Sequence, residues 1–132
     1  MNITVDVSLG EFLDKLTILQ IKSERIKDSK KLLNIRKELD LLTQTWSRSP
    51  FAAADIRAPL ARLKAINEKL WDIEDQIRIK ESQAAFDGDF IELARSVYVS
   101  NDERAAIKRE LNVLLGSELV EEKSYADYQR RS

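Results

Sequence analysis

The sequence predicts an all-α fold: an antiparallel bundle of about five helices with one long central helix and a docked C-terminal tail. The chain of 132 residues contains only three glycines and two prolines, so few residues interrupt its helix-favouring runs. Apolar residues recur at spacings of three and four along those runs, as on one face of an amphipathic helix. A chain of this length matches one ordinary domain, and we expect a single helical domain over residues 1–132.

The first helix is predicted to run from about residue 9 to 28, after an extended lead-in over residues 1–7. The lead-in contains ITVDV, which alternates like a short strand. Ser8 and Glu11 fit the capping-box pattern at a helix start. Ile18 and Ile21 lie nearly opposite the main apolar face, so this helix is either central in the bundle or meets another subunit. Ile18 and Ile21 are therefore candidate interface residues.

The next helix-breaking and capping residues predict the limits of the second and third helices. The DSKK stretch at 28–31 offers a bend or cap before helix two, which is expected to end near Trp46, and SRSPF at 47–51 is a loop. Pro59 suits a first helical turn, so helix three is expected to continue from there to about Phe86 as the long helix. Asn67 and Glu74 interrupt its apolar seam, either as register-setting residues or at its border.

The remaining chain predicts two more helices and a tail. Gly88 is suited to stop helix three before a short helix at 90–99. Ser100 and Glu103 repeat the capping-box spacing and predict helix five, which Gly116 is placed to end. Residues 117–132 form the tail, whose apolar and tyrosine side chains predict docking on the bundle, while Arg130–Ser132 are expected to fray.

The composition excludes several classes of chemistry. The chain has no cysteine and no histidine, which rules out thiol nucleophiles, disulfides and Cys/His zinc sites. No phosphate-cradling glycine loop, dinucleotide fingerprint or nucleophile elbow is present. We predict no metal, no cofactor and no assignable catalytic residue, and whether the chain is an enzyme stays open. No targeting segment or long apolar run is present, which predicts a cytoplasmic protein without membrane contact.

The charge distribution is uneven although the net charge is only −1. That net charge argues against attraction to nucleic acid or to an anionic membrane. Residues 22–37 hold seven basic and two acidic side chains, whereas residues 68–92 hold eight acidic and three basic ones. The two segments either attract each other, within one chain or between two copies, or are solvated helix faces that differ in sign.

Two polar sets are candidates for a ligand site. The first is a stripe on one side of helix three, and the second is spaced three residues apart across the junction of helices four and five. Each also has a structural interpretation, as exposed ion pairs in the first case and as polar groups at the rim of the core in the second. With two residues of helix one, the candidate site comprises Asp14, Lys15, Trp71, Glu74, Asp75, Arg78, Arg95, Tyr98, Asn101 and Arg104.

Several strings carry a resemblance to a known family: DKLTILQIK at 14–22, LWDIEDQIRIKE at 70–81, FIELARSVYVSNDERAAIKRELN at 90–112 and VEEKSY at 120–125. Together they resemble an uncharacterised bacterial family of short helical proteins, a domain of unknown function. Members sometimes accompany tetratricopeptide-repeat or glycosyltransferase-like proteins encoded near surface-polysaccharide genes. The resemblance implies no established activity, ligand or catalytic residue.

Two functions are therefore carried forward. The first is a helical interaction or assembly module that self-associates or binds a protein partner, accessory to surface-polysaccharide or glycosyl-transfer proteins. The alternative is a small-molecule-binding protein or enzyme whose Arg, Tyr and carboxylate groups take an anionic, sugar-like metabolite. The scarcity of side chains suited to proton transfer at neutral pH favours the first.

Overall fold

The computed structural model describes residues 1–129, which form four helices and no strand. The helices are α1 (Leu9–Arg25), α2 (Ser29–Ser47), α3 (Arg57–Ser82) and α4 (Gly88–Leu115). The all-α prediction is confirmed, whereas the predicted antiparallel arrangement stays a prediction. Residues 1–7 have no regular secondary structure and their side chains are exposed, so the strand-like alternation of ITVDV does not form a strand here.

The prediction of five helices is wrong because the expected fourth and fifth helices are one continuous helix. Ser100, the predicted cap, lies inside α4 and is 1% exposed. An N-cap residue leaves the helical conformation, but no glycine or proline occurs between Gly88 and Gly116 to interrupt the backbone. At 28 residues, α4 is longer than the 26-residue α3.

Local caps explain where the helices begin and end. Ser8 caps α1 and accepts a hydrogen bond from the Glu11 amide at 3.1 Å, as the capping box predicts. Asp87 caps α4 by accepting from the Phe90 amide at 3.0 Å. Gly116, at φ 65°, ends α4 as predicted. The stop assigned to Gly88 is wrong, because α3 ends at Ser82 and Gly88 is the first residue of α4.

The central helix is α1, not one of the two long helices. Within the described chain α1 contacts α2, α3 and α4, whereas α2 packs against α1 alone. The core side chains come from α1, α3, α4 and the residue before α3: Leu13, Leu16, Ile56, Leu63, Ile66, Ile107 and Leu111. Ile21 is 1% exposed, so the second apolar face of α1 is used inside the bundle. Ile18 is half-buried.

The tail contacts α4 through ion pairs and one aromatic pair. Glu121 lies 3.4 Å from Lys108, and Glu122 lies 3.2 Å from Arg109. The rings of Tyr98 on α4 and Tyr128 are 4.9 Å apart in an edge-to-face arrangement. The predicted fraying of 130–132 lies outside the described residues.

The oppositely charged segments meet at one point within the chain. Arg25 of the basic segment contacts Asp72 at 2.6 Å and Glu68 at 3.7 Å, which joins α1 to α3. Among the described helices, none combines the length and the apolar character that crossing a membrane requires.

Candidate functional site

A buried polar junction joins α1, α3 and α4. Its centre is the carboxylate of Asp14, which is 1% exposed. Oδ1 accepts hydrogen bonds from Asn67 Nδ2 and from Arg104 Nε, each at 2.9 Å, and Oδ2 accepts from Arg104 Nη2. Thr17 Oγ1 also accepts from Asn67 Nδ2 at 3.0 Å. Because Arg104 binds through two parallel bonds, its guanidinium is fixed in one orientation.

Close packing of α1 on α4 makes this junction possible. The amide of Gly10 donates to Asn112 Oδ1 at 2.6 Å. A Cβ atom at position 10 would stand 2.5 Å from the backbone oxygen of Lys108, a distance that real Cβ atoms do not tolerate. Glycine therefore permits the backbone approach at this end of the two helices.

A second charged group lies beside the first, around the ammonium of Lys108. Its Nζ contacts Glu11 Oε2 at 2.6 Å, Glu121 Oε1 at 3.4 Å and Asp14 Oδ2 at 3.9 Å. Hydrogen bonding with Glu121 and Lys108 lowers the pKa of Glu11, whereas the interaction with Glu11 raises the pKa of Glu121. Of the two carboxyl groups, that of Glu121 in the tail is therefore the more readily protonated.

An open cleft lies above the buried junction, between α1, α3 and α4. Its volume is about 580 Å³. The cleft has apolar and polar sides, and its lining residues are Ile18, Ile21, Lys22, Asn67, Leu70, Trp71, Glu74, Asp75, Arg78, Asn101 and Arg104. Nη1 of Arg104 forms no hydrogen bond with the described residues, so it remains available as a donor.

The outer part of the cleft is more exposed and less constrained than its floor. The Arg78 side chain is 79% exposed, and its one carboxylate contact within residues 1–129 is Glu74 at 3.6 Å, one helical turn away. The guanidinium carbon of Arg25 lies 5.9 Å from the centre of the Trp71 ring. The lining side chains carry three positive and two negative charges. The cleft itself is therefore only slightly cationic.

The structure brings together six of the ten predicted ligand-site residues: Trp71, Glu74, Asp75, Arg78, Asn101 and Arg104 line the cleft. Asp14 lies behind Arg104 and is buried. Lys15 is separate, because it is exposed and pairs with Glu38 of α2 at 3.5 Å. Arg95 and Tyr98 line a neighbouring cavity of about 330 Å³ rather than the cleft.

The predicted site left out several residues of this region, among them Lys22, Asn67 and Lys108. The position of Asn67 indicated its role, because a polar residue in an apolar seam needs a buried hydrogen-bond partner. Lys108 is four residues after Arg104 and so shares its helix face. Lys22 gave no signal beyond membership of the basic segment. Within residues 1–129, no group of three carboxylates is close enough to hold a metal ion.

These features define an all-α protein with a polar cleft above a buried Asp–Arg pair. The chain belongs to a family of unknown function, DUF6165, whose model matches residues 3–129. No curated protein and no solved structure matches the chain. The match confirms the prediction, made from the sequence strings, that the chain belongs to a family of unknown function. Bacterial origin and the association with tetratricopeptide-repeat or glycosyltransferase-like proteins stay predictions.

Proposed function

We propose that the protein binds a small, hydroxyl-rich metabolite with an acidic group, such as a sugar acid, in the cleft between α1, α3 and α4. The observation that carries the proposal is the state of Arg104. Its guanidinium is held by Asp14 through two bonds, the residue lines the cleft, and its Nη1 forms no hydrogen bond with residues 1–129. An arginine fixed in this way can donate to a ligand carboxylate or phosphate without losing further side-chain conformational freedom on binding.

The size of the cleft supports the same conclusion. Pockets for small molecules commonly have volumes of about 300–1,000 Å³, and a volume of about 580 Å³ lies inside that range. The apolar wall formed by Ile18, Leu70 and Trp71 suits the C–H face of a ring. The amides of Asn67 and Asn101 can donate to and accept from hydroxyl groups.

The charge balance favours a ligand with few acidic groups. Lys22, Arg78 and Arg104 are opposed at the surface of the cleft by Glu74 and Asp75. Asp14 compensates the charge of Arg104 from behind. A polyphosphate would meet these carboxylates at close range, whereas a single carboxylate bound by Arg104 and Arg78 would leave them free to accept hydroxyl hydrogens.

Thermal unfolding in the presence of sugar acids tests the proposal. The compounds are glucuronate, galacturonate, N-acetylneuraminate and glucose 1-phosphate, with neutral glucose as the uncharged comparison. At about 100 times its dissociation constant, a ligand of the native state adds about 2.7 kcal/mol of stability, which raises the unfolding temperature. Arg78→Ala should lose much of the shift, and Lys15→Ala, on an exposed side of α1, should keep it. No shift with any of the acids would contradict the proposal.

Self-association is a second candidate, and specific exposed side chains favour it. α2 packs against α1 alone, and its Leu33 and Leu41 are 70% and 56% exposed. Val113 and Leu114 are also exposed near the end of α4. Sedimentation equilibrium of the wild type and of Leu33→Glu/Leu41→Glu tests it. A wild-type monomer at tens of micromolar would remove its support. An accessory role toward surface-polysaccharide or glycosyl-transfer proteins stays a prediction.

A further inference from the structure

Three cavities follow one another along α4 and share residues at each step. The cleft and a second cavity of about 470 Å³ share Asn101 and Arg104. The second and the third cavity, of about 330 Å³, share Tyr98 and Tyr128. The three cavities are therefore neighbours, and they are lined in turn by Arg104, Asn101, Tyr98 and Arg95, which are spaced three residues apart on α4. From position 104 to position 95, α4 extends about 14 Å at 1.5 Å per residue.

The C-terminal tail forms the outer wall of the middle cavity. Its contributions are Lys123, Tyr125, Ala126 and Tyr128. The tail is attached to α4 before Lys123, by the ion pairs of Glu121 and Glu122, and after Ala126, by the Tyr98–Tyr128 ring contact. The segment between the attachments is thus held across α4 although it has no regular secondary structure.

The side chains that line the middle cavity are suited to binding a second polar ring. Tyr125 is 79% exposed, so the fold leaves this aromatic ring uncovered beside Lys123 and Arg104. Asn101 and Asp102 supply groups that accept hydroxyl hydrogens, and Lys123 supplies a second cation. The Asp102 carboxylate raises the pKa of the Tyr128 phenol, because the protonated hydroxyl can donate to it.

Ser100 and Arg95 are among the residues that line the third cavity. Ser100 is 1% exposed, and its Oγ forms no hydrogen bond with the described residues. Arg95 lines the same cavity and lies 2.8 Å from Glu92.

We propose that the ligand is an acidic oligosaccharide of at least two rings, bound along α4 with its second ring beneath the C-terminal tail. This rests on the proposed function, because the first acidic ring occupies the cleft at Arg104 and Trp71. The second ring occupies the cavity of Tyr98, Lys123 and Tyr125, and Arg104 lies at the boundary of the two places. A monosaccharide fills only the first place, so oligomer length determines the affinity.

Isothermal titration calorimetry with galacturonate, digalacturonate and trigalacturonate tests the inference. Digalacturonate should bind at least about tenfold more tightly than galacturonate, equivalent to about 1.4 kcal/mol. In Tyr125→Ala and Lys123→Ala that ratio should fall toward one. The matched control is Lys31→Ala, which removes an exposed lysine of α2, a helix that packs against α1 and not α4, and it should keep the tenfold ratio. Circular dichroism verifies that each variant is folded.

The possible failures are distinguishable. Equal affinity of the wild type for galacturonate and digalacturonate would overturn the second ring site and leave the cleft as a monosaccharide site. An unchanged ratio in both tail variants would overturn the role of the tail. Absence of binding to all three compounds at millimolar concentration would overturn the oligosaccharide proposal, and the proposed function then depends on the other acids of the thermal panel.

Discussion

Two arginine–carboxylate pairs lie near the same cleft, and they differ in almost every physical respect. Asp14 and Arg104 pair across 90 residues through two bonds, and the carboxylate is 1% exposed and also accepts a hydrogen bond from Asn67. Glu74 and Arg78 are one helical turn apart, 3.6 Å from each other, and the arginine is 79% exposed. The same chemistry therefore serves two purposes. The buried pair fixes the fold and one guanidinium, while the exposed pair leaves the other guanidinium free to rearrange.

The energies expected for the two pairs differ accordingly. Removing one partner of a buried pair leaves an uncompensated charge and costs about 3–5 kcal/mol. A surface pair of the i,i+4 type contributes about 0.3–0.5 kcal/mol, because water screens it and two long side chains must be ordered. Separate substitutions in each ion pair test this comparison. A further substitution tests the close packing of α1 on α4 next to the buried pair.

The largest effect is expected for Asp14→Ala. Loss of this carboxylate leaves Arg104 and Asn67 without their buried partner, so the free energy of unfolding should fall by about 3–5 kcal/mol. Urea unfolding followed by circular dichroism measures the change. Asp75→Ala, which removes an exposed carboxylate from the cleft wall, should change the stability by no more than about 0.5 kcal/mol. Similar losses in the two variants would show that burial does not distinguish these carboxylates.

A somewhat smaller effect is expected for Gly10→Ala. The new methyl group would stand 2.5 Å from the Lys108 carbonyl oxygen, and this backbone atom can move only if α1 and α4 separate. Overpacking of this kind costs about 1–3 kcal/mol. Gly88→Ala is the matched control, since a Cβ there meets nothing within 4 Å, and it should be neutral or stabilise by up to about 1 kcal/mol. If Gly10→Ala is as stable as wild type, the close approach does not maintain the buried pair.

The third effect is a pH dependence of tail attachment at Glu11 and Glu121. The pKa of Glu11 is lowered, so its contribution is present above the usual value of 4.5 and is lost as pH falls through its folded pKa. The pKa of Glu121 is raised, so its contribution is present below 4.5 and is lost as pH rises through its folded pKa. Attachment should therefore be strongest between these two pKa values, where Glu11 is ionised and Glu121 is protonated. Lys108 and Arg104 supply the positive charge facing both groups.

Nitrogen-15 relaxation of residues 118–124 across the range from acid to neutral pH measures that attachment. We expect faster internal motion as the pH rises above the raised pKa of Glu121. Glu121→Gln should remove this dependence, because the amide cannot ionise and still reaches Glu11 as a donor. A tail that becomes more mobile on acidification through the same range would show that the Lys108 attraction outweighs the repulsion between the two carboxylates.

Helix signals in the sequence were reliable where the deciding interactions are local. Ser8 and Gly116 satisfy orphan backbone groups within one turn, and the structure uses both as predicted. Ser100 has the same Ser-x-x-Glu spacing but lies inside α4, because only a chain that leaves the helix makes a serine a cap. The Ser-x-x-Glu spacing alone does not show whether the backbone continues, and the local sign that it does is the lack of glycine and proline around Ser100.

The candidate site shows the same limit at longer range. Spacings of three and four placed Trp71, Glu74 and Arg78 on one stripe, and they do line one cleft. Periodicity cannot show that Asp14 pairs with Arg104, because that contact depends on how α1 and α4 pack. It likewise left the role of Asn67 open between seam and border, and the structure decides the question by burying its amide against Asp14.

The smallest effect on stability, and a clear effect on binding, is expected for Arg78→Ala. The exposed pair with Glu74 contributes about 0.3–0.5 kcal/mol, so urea unfolding should be nearly unchanged. Affinity for the best sugar acid should nevertheless fall by about tenfold, since a charged hydrogen bond to a ligand is worth about 1.5–3 kcal/mol. Arg78→Lys keeps the charge and should recover part of the affinity. A loss of stability comparable to that of Asp14→Ala would mean that the exposed pair stabilises the fold. An unchanged affinity would mean that the acidic group of the ligand binds Arg104 and not Arg78.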